Sequence, residues 1–355
     1  VSGIRHYTWA AAGVLCVLSS RAEAIFIRAN QLGYEEVGPK IAIAFSSTNL
    51  PSRFQIVEIP RKQIAFEGPV NRIEGVAWGR FDQHADLDFS ALTKAGRYQL
   101  QLGRTTSLPF VIRSRAFAQM PDELLAFLGE QRCGYNPWLD AVCHPFDGRT
   151  AFGPCTNGTY VDARGGWHDA ADLLKYLLTS GNATAQMLLA YTIGTPKTKA
   201  GFSDRVNRLG QPGSNGVPDL LDEARWGLEW MLKLHPVPDQ LYHQVADDRD
   251  HAGWRLPQDE DIDYGWGKGK GRVVYFADGR PQGLREYKSD STGLANLAGR
   301  YAAAMALAYQ IWKDDPKEKP FAERCLQAGK EVYKLGLAKQ GAQQGTSFKA
   351  PYRYE

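Results

Sequence analysis

A change of hydrophobic period near residue 114 limits what this chain can fold into. From residue 25 to residue 113 the apolar residues come in short alternating or continuous runs broken by turns. These are Ile25-Phe26-Ile27, Lys40-Ile41-Ala42-Ile43-Ala44-Phe45, Phe54-Gln55-Ile56-Val57, Gly96-Arg97-Tyr98-Gln99-Leu100-Gln101-Leu102 and Leu108-Pro109-Phe110-Val111-Ile112. Such runs are the pattern of strands in a small antiparallel β-sandwich. Residues 114–118 form a connector, and from 119 the apolar spacing turns helical. Leu221, Ala224, Leu228 and Met231 recur on one face behind Pro218 and Asp219, and comparable patterns predict helices over 120–132, 171–191, 291–312 and 320–335. The chain therefore reads as a β-sandwich at 25–113, a linker at 114–118 and an all-α domain at 119–355. With nine Trp, sixteen Tyr and fifteen Phe in 355 residues, both domains can bury a core.

The net charge of +3 is mild, and no Lys/Arg block is interleaved with aromatic residues, so a nucleic-acid partner is not expected. Residues 1–24 read as a secretion signal: Arg5 and His6 precede an apolar run, and Ala22-Glu23-Ala24 offers a small-x-small cleavage site. The run is too short for a membrane span. A secreted or periplasmic, monomeric protein is expected. Cys16 leaves with the signal, and Cys133, Cys143, Cys155 and Cys325 remain, an even number that in an exported protein ordinarily suggests disulfides.

Two clusters carry chemistry. In Gly165-Gly166-Trp167-His168-Asp169-Ala170-Ala171-Asp172 the glycines permit a sharp turn, and Asp169 and Asp172 stand at i and i+3 of an expected first helical turn. Two acids so placed can orient and deprotonate a water, or they can simply cap free backbone N–H groups. Cys133, Cys143, His144 and His168 supply two thiolates and two imidazoles, the donor set of a closed, structural tetrahedral zinc site. A Cys133–Cys143 disulfide is the rival. Between 241 and 288 the helical period is lost, and Trp254, Tyr264, Trp266, Tyr275 and Tyr287 accumulate. Aromatic faces stack on sugar rings, so the loop reads equally as a carbohydrate rim or as a cover over helix ends. Trp167, Trp254 and Trp266 are the substrate-binding candidates.

The stretch from Gly165 to Asp172 resembles the Gly-Gly-Trp-(Tyr/His)-Asp-Ala-Gly-Asp signature of glycoside hydrolase family 9, the inverting cellulases with an (α/α)6 barrel. Ala171 stands where that signature has Gly. Val217-Pro218-Asp219-Leu220-Leu221-Asp222-Glu223-Ala224 is similar to a downstream helix of the family. Asn30-Gln31-Leu32-Gly33-Tyr34, Asp86-Leu87-Asp88-Phe89-Ser90 and Ala95-Gly96-Arg97-Tyr98 resemble the immunoglobulin-like domain that precedes many of its catalytic domains. Bacterial members with that domain often carry zinc on two Cys and two His, and Cys133, Cys143, His144 and His168 match those positions.

The resemblance implies hydrolysis of β-1,4-glucosidic bonds in cellulose or a related β-glucan, with Asp172 as general base and Asp169 holding the water. The family's proton donor is a Glu near the end of its catalytic domain, in a motif not found here. The stretch Ala350-Pro351-Tyr352-Arg353-Tyr354-Glu355 resembles a mid-barrel segment, so the barrel is expected to be incomplete in this chain. Calcium often accompanies the family, and Asp247-Asp248-Arg249-Asp250 or Asp259-Glu260-Asp261-Ile262-Asp263 would supply its oxygens. The alternative is a non-catalytic carbohydrate-binding or structural α/α protein at the cell surface.

Overall fold

The computed structural model describes residues 25–75, 78–170, 172–251 and 253–349. The expected signal peptide, Ala171 and residues 350–355 lie outside the described residues. The chain forms two compact units that divide between Met120 and Pro121. That break falls beyond the expected linker, which is tied to the first unit: the Glu35 carboxylate accepts from the amides of Arg115 at 2.7 Å and Phe117 at 3.4 Å.

The first unit is a sandwich of two antiparallel sheets. One has the order β1 (Phe26–Arg28), β2 (Ile41–Ser46), β6 (Gln83–Asp88), β5 (Asn71–Ile73). The other runs β4 (Gln63–Pro69), β3 (Arg53–Glu58), β7 (Gly96–Leu102), β8 (Thr105–Thr106), with β9 (Phe110–Ile112) also on β7. Alternation puts Phe54, Ile56, Leu87, Tyr98 and Leu100 inside, each 1% exposed or less. The five runs marked in the sequence all carry strands. β6 escaped notice because Gln83, Asp86 and Asp88 dilute its apolar content, although His84, Ala85 and Leu87 are buried.

The second unit begins with α1 (Met120–Glu130), whose Leu125 and Leu128 pack on the core while Leu124 and Phe127 are exposed. Its remaining helices are α2 (Leu177–Ile193), α3 (Pro196–Lys199), α4 (Asp219–Lys233), α5 (Ala295–Trp312) and α6 (Lys319–Ala338). Pro218 precedes α4, and Asp219 and Asp222 lie in its first turn, where acids suit the helix dipole. Small residues set the helix spacing: Ala298, Ala304, Ala308, Ala322 and Cys325 are all buried, and a Cβ on Gly336 would meet that of Ala298 at 2.4 Å. Gly227 is as tight, since its Cβ would lie 2.2 Å from Thr184 Oγ1 and 2.4 Å from the Trp167 ring. Gly227→Val is expected to cost about 3 kcal/mol through overpacking. A urea midpoint equal to that of the parent would show instead that α4 can move away.

The domain is not all-α as expected. β12 (Arg149–Ala151), β15 (Val273–Phe276), β14 (Tyr242–Val245) and β13 (Lys175–Tyr176) form one mixed sheet in that order, and β10 (Tyr135–Asn136) pairs with β11 (Ala141–Val142). β14 and β15 come from the stretch expected to be irregular. Strands of two to four residues are too short to establish a period in sequence. Among the described residues no helix is long and apolar enough to cross a membrane.

Candidate active site and metal cluster

The loop between β12 and β13 carries the glycine pair and both acids. Gly165 and Gly166 have φ of +106° and +74°, and a Cβ on Gly166 would sit 2.5 Å from the Trp230 ring. Glycine alone fits there. No helix starts at Ala170: Leu173 is left-handed with φ of 61°, Lys175 and Tyr176 pair with β14, and α2 begins at Leu177. Sheet pairing of Lys175 and Tyr176 overrides the local helix propensity. Asp169 and Asp172 are therefore neither i and i+3 partners on a helix nor caps.

The loop fixes the acids individually. The Asp169 amide donates to Leu174 O at 2.7 Å, and its Oδ1 accepts from Thr179 Oγ1 at 3.1 Å. Burial raises the Asp169 pKa, the Thr179 hydroxyl opposes this, and the charge of Asp172 adds to it. Asp172 Oδ2 lies 2.8 Å from His251 Nε2. Its Oδ1 is buried and has no hydrogen-bond partner among the described residues. Both acids line a cleft of about 270 Å³ with Thr179, His243, His251 and Gln344. Burial pushes His243 down to about 4, so that ring is neutral, its Nε2 3.1 Å from Gln282 Oε1.

Cys133, Cys143, His144 and His168 are buried, and their donor atoms all lie within 4.8 Å of one another. His144 Nδ1 is 3.3 Å from His168 Nε2 and 3.6 Å from Cys133 Sγ, and Cys143 Sγ is 3.9 Å from His168 Nε2. A tetrahedral zinc with Zn–S of about 2.3 Å and Zn–N of about 2.05 Å requires edges of about 3.4 Å for N···N and about 3.6 Å for S···N. The donors fit that polyhedron. All four described cysteines are free, which disposes of the Cys133–Cys143 disulfide. Burial opposes ionisation of Cys133, but the Cys143 thiol and the Lys175 ammonium outweigh it and hold Cys133 well below the usual thiol range. Cys143, hydrogen-bonded to Cys133 and buried, is raised. Among the described residues no other group of His, Cys, Asp and Glu could share an ion.

A buried lysine joins the cluster to the loop. Lys175 Nζ contacts Cys133 Sγ at 3.3 Å, Ala163 O and Gly165 O at 2.9 Å, and Asp147 Oδ2 at 2.8 Å. Lys175, Asp147, His243 and His251 were not singled out in the sequence. Only proximity to the motif hinted at Lys175, and pairing across 79 residues, as between Asp172 and His251, leaves no local trace.

Other expectations are corrected. Trp167 is not a surface ring: it is 4% exposed and its Nε1 donates to Glu223 Oε1 at 2.7 Å, while Glu223 also pairs with Arg132 at 2.8 Å. Tyr264 and Tyr275 are buried, their hydroxyls donating to Asp250 and Asp247. Trp254, 91% exposed, and Trp266, partly exposed beside Gly158, remain available to a ligand. In the acidic runs named for calcium, most of the acids have partners of their own. Asp247 pairs with Arg249, Asp250 with Arg272, Glu260 with Arg255 and Asp261 with Lys268. Asp248 and Asp263 are taken up by backbone amides.

The arrangement is thus a pair of carboxylates lining a cleft, on the same loop as one of four Cys and His donors that could hold a metal ion, on a helical domain that follows a β-sandwich. Residues 117–355 match the family described as Glycosyl hydrolase family 9, and residues 22–107 match the Cellulase N-terminal ig-like domain. The chain belongs to glycosyl hydrolase family 9. It is 30% identical over 269 residues to endoglucanase C of Cellulomonas fimi, covering 66% of this chain and 23% of that protein. It is also 30% identical over 237 residues to a xyloglucan-specific endo-β-1,4-glucanase of Bacteroides ovatus, covering 62% and 38%. The fold matches the crystal structure of a metagenome-derived family 9 endoglucanase with a TM-score of 0.64 at 28% identity, covering 90% of this chain and 56% of that one. The chain spans less than half the length of these two curated relatives.

Proposed function

We propose that the protein carrying this chain is an exported, inverting hydrolase of β-1,4-glucosidic bonds in cellulose or a related β-glucan. Asp172 is the general base and Asp169 positions the attacking water. The observation that carries this reading is the state of Asp172: one oxygen is held by His251, and the other is unpartnered beside the cleft. A carboxylate held at one oxygen and with unused acceptor capacity at the other can take a proton from a water that reaches it as that water attacks the anomeric carbon. Inversion further requires an acid about 6.5–9.5 Å from the base to protonate the leaving oxygen. Among the described residues lining the cleft, Asp169 and Asp172 are the carboxylic acids, so the donor is sought in the full protein. Residues 119–355 contribute helices to an (α/α)6 barrel.

Zinc fits the Cys133, Cys143, His144 and His168 donors. With four protein ligands it supplies structure, pinning the loop that bears Asp169 next to His168 and leaving no position for substrate. An insoluble polymer cannot enter a cell, which is in keeping with an exported enzyme acting where the glucan is.

Hydrolysis of carboxymethyl-cellulose, xyloglucan and mixed-linkage glucan by the full protein, with the anomer released read by NMR, tests the reaction class. Release of the retained anomer would overturn inversion. Trp254→Ala is expected to raise KM about 5- to 10-fold with kcat little changed, the loss of one stacking face worth about 1 kcal/mol. An unaltered KM would remove Trp254 from the binding surface.

A further inference from the structure

Arg272 is a charged residue of the second unit whose side chain is 4% exposed, and neither the acid pair nor the metal donors account for it. Its guanidinium makes a two-pronged pair with Asp147, Nε to Oδ1 and Nη2 to Oδ2, both 2.8 Å. Nη1 donates to Leu173 O at 2.6 Å and to Asp250 Oδ2 at 3.1 Å. Nη2 also lies 3.8 Å from Cys133 Sγ.

Each partner belongs to a different part of the site. Leu173 follows Asp172 directly and holds the left-handed φ of 61°, a conformation that persists in a bulky residue only when its surroundings impose it. Asp250 precedes His251, whose Nε2 meets Asp172. Asp147 holds Lys175, which contacts Cys133. One rigid fork therefore binds the peptide after the base, the segment bearing the histidine that orients the base, and the wall of the metal cluster.

We infer that Arg272 is a positioning residue for Asp172, setting the Leu173 turn and the Asp250–His251 segment relative to the metal cluster. The inference rests on the reading of Asp172 as the base. Lysine keeps the charge but cannot reach Asp147, Leu173 O and Asp250 together, because an ammonium lacks the planar five-donor fork. Without the fork the turn is free to relax, and a displacement of about 1 Å at a reacting group can cost about 10²-fold in rate.

Arg272→Lys in the full protein is expected to lower kcat about 10²-fold with KM within about 2-fold of the parent. Zinc is expected to stay at one ion per chain, and amide exchange over residues 169–174 to accelerate while residues 133–144 stay protected. Unchanged exchange over 169–174 with zinc retained, or loss of zinc from the variant, overturns the inference. The exchange arm is independent of hydrolysis, so an Asp172→Asn protein that still hydrolysed glucan would sink the reading of the base without deciding the role of Arg272. If Arg272→Lys does not fold, Asp250→Ala removes the acceptor that ties the His251 segment to the guanidinium while leaving Asp147 and Leu173 O on it. It is expected to lower kcat about 10-fold with KM held and to speed exchange over 248–251, and parental values for both overturn the inference.

Discussion

Asp172→Asn in the full protein is expected to lower kcat on soluble β-glucan by about 10³-fold, within the range of about 10²- to 10⁴-fold that a positioned base contributes. KM and the urea midpoint should change little. Asparagine has the shape of aspartate and its Oδ1 can still accept from His251, but its amide cannot take a proton from water. The side chain is also 21% exposed on a loop at a cleft, outside the packed core, so the fold gains little from its charge. If Asp172 were only a structural acid, the variant would hydrolyse glucan normally. A fall in unfolding free energy of several kcal/mol together with lost activity would equally defeat the assignment, because the loss would then follow from unfolding.

Removing the metal is expected to have the second largest effect, on stability. Zinc analysis should find one ion per chain, and Cys143→Ser or His168→Ala should lower zinc affinity by at least about 10²-fold. Binding at about 1,000 times Kd stabilises a fold by about 4 kcal/mol, and each kcal/mol shifts Tm by about 2–4 °C in a domain of this size. Chelation should therefore lower Tm by about 8–16 °C. The physical source is the convergence of two buried thiols and two buried imidazoles, which the ion binds together and which otherwise crowd one another. Cys325→Ser is the control, since that cysteine is buried on α6 outside the cluster and its replacement should leave zinc content unchanged. Equal zinc content in Cys143→Ser and the parent would dismiss the site.

Much of this molecule could be read from residues near one another in the chain. The strands β2, β3 and β7 follow their alternation, and α4 follows its stripe of Leu221, Ala224, Leu228 and Met231, all buried. The metal donors were legible because two Cys and two His are scarce residues of one chemical kind. The Gly165-Gly166 turn was legible because φ above zero favours glycine.

Other features were illegible for one shared reason. The sheet beside the cleft pairs Arg149 with Val273 and Lys175 with Val245, and such pairings leave no period in strands this short. The helix expected over 171–191 begins only at Leu177 because Lys175 and Tyr176 pair with β14. Trp167, whose position in the motif suggested a sugar platform, is buried by the close approach of α4 at Gly227. The sequence alone thus determined the longer alternating strands of the sandwich, the main helices and which side chains can hold an ion, since those depend on local period and on residue type. Only the tertiary structure decided that His251 orients Asp172, that Lys175 and Arg272 back the cluster and the turn, and that the acids sit on a loop. Those outcomes depend on charged groups finding partners distant in the chain, 42 residues for Lys175 and Cys133, 79 for Asp172 and His251 and 125 for Arg272 and Asp147, and a buried charge left without a partner would cost several kcal/mol.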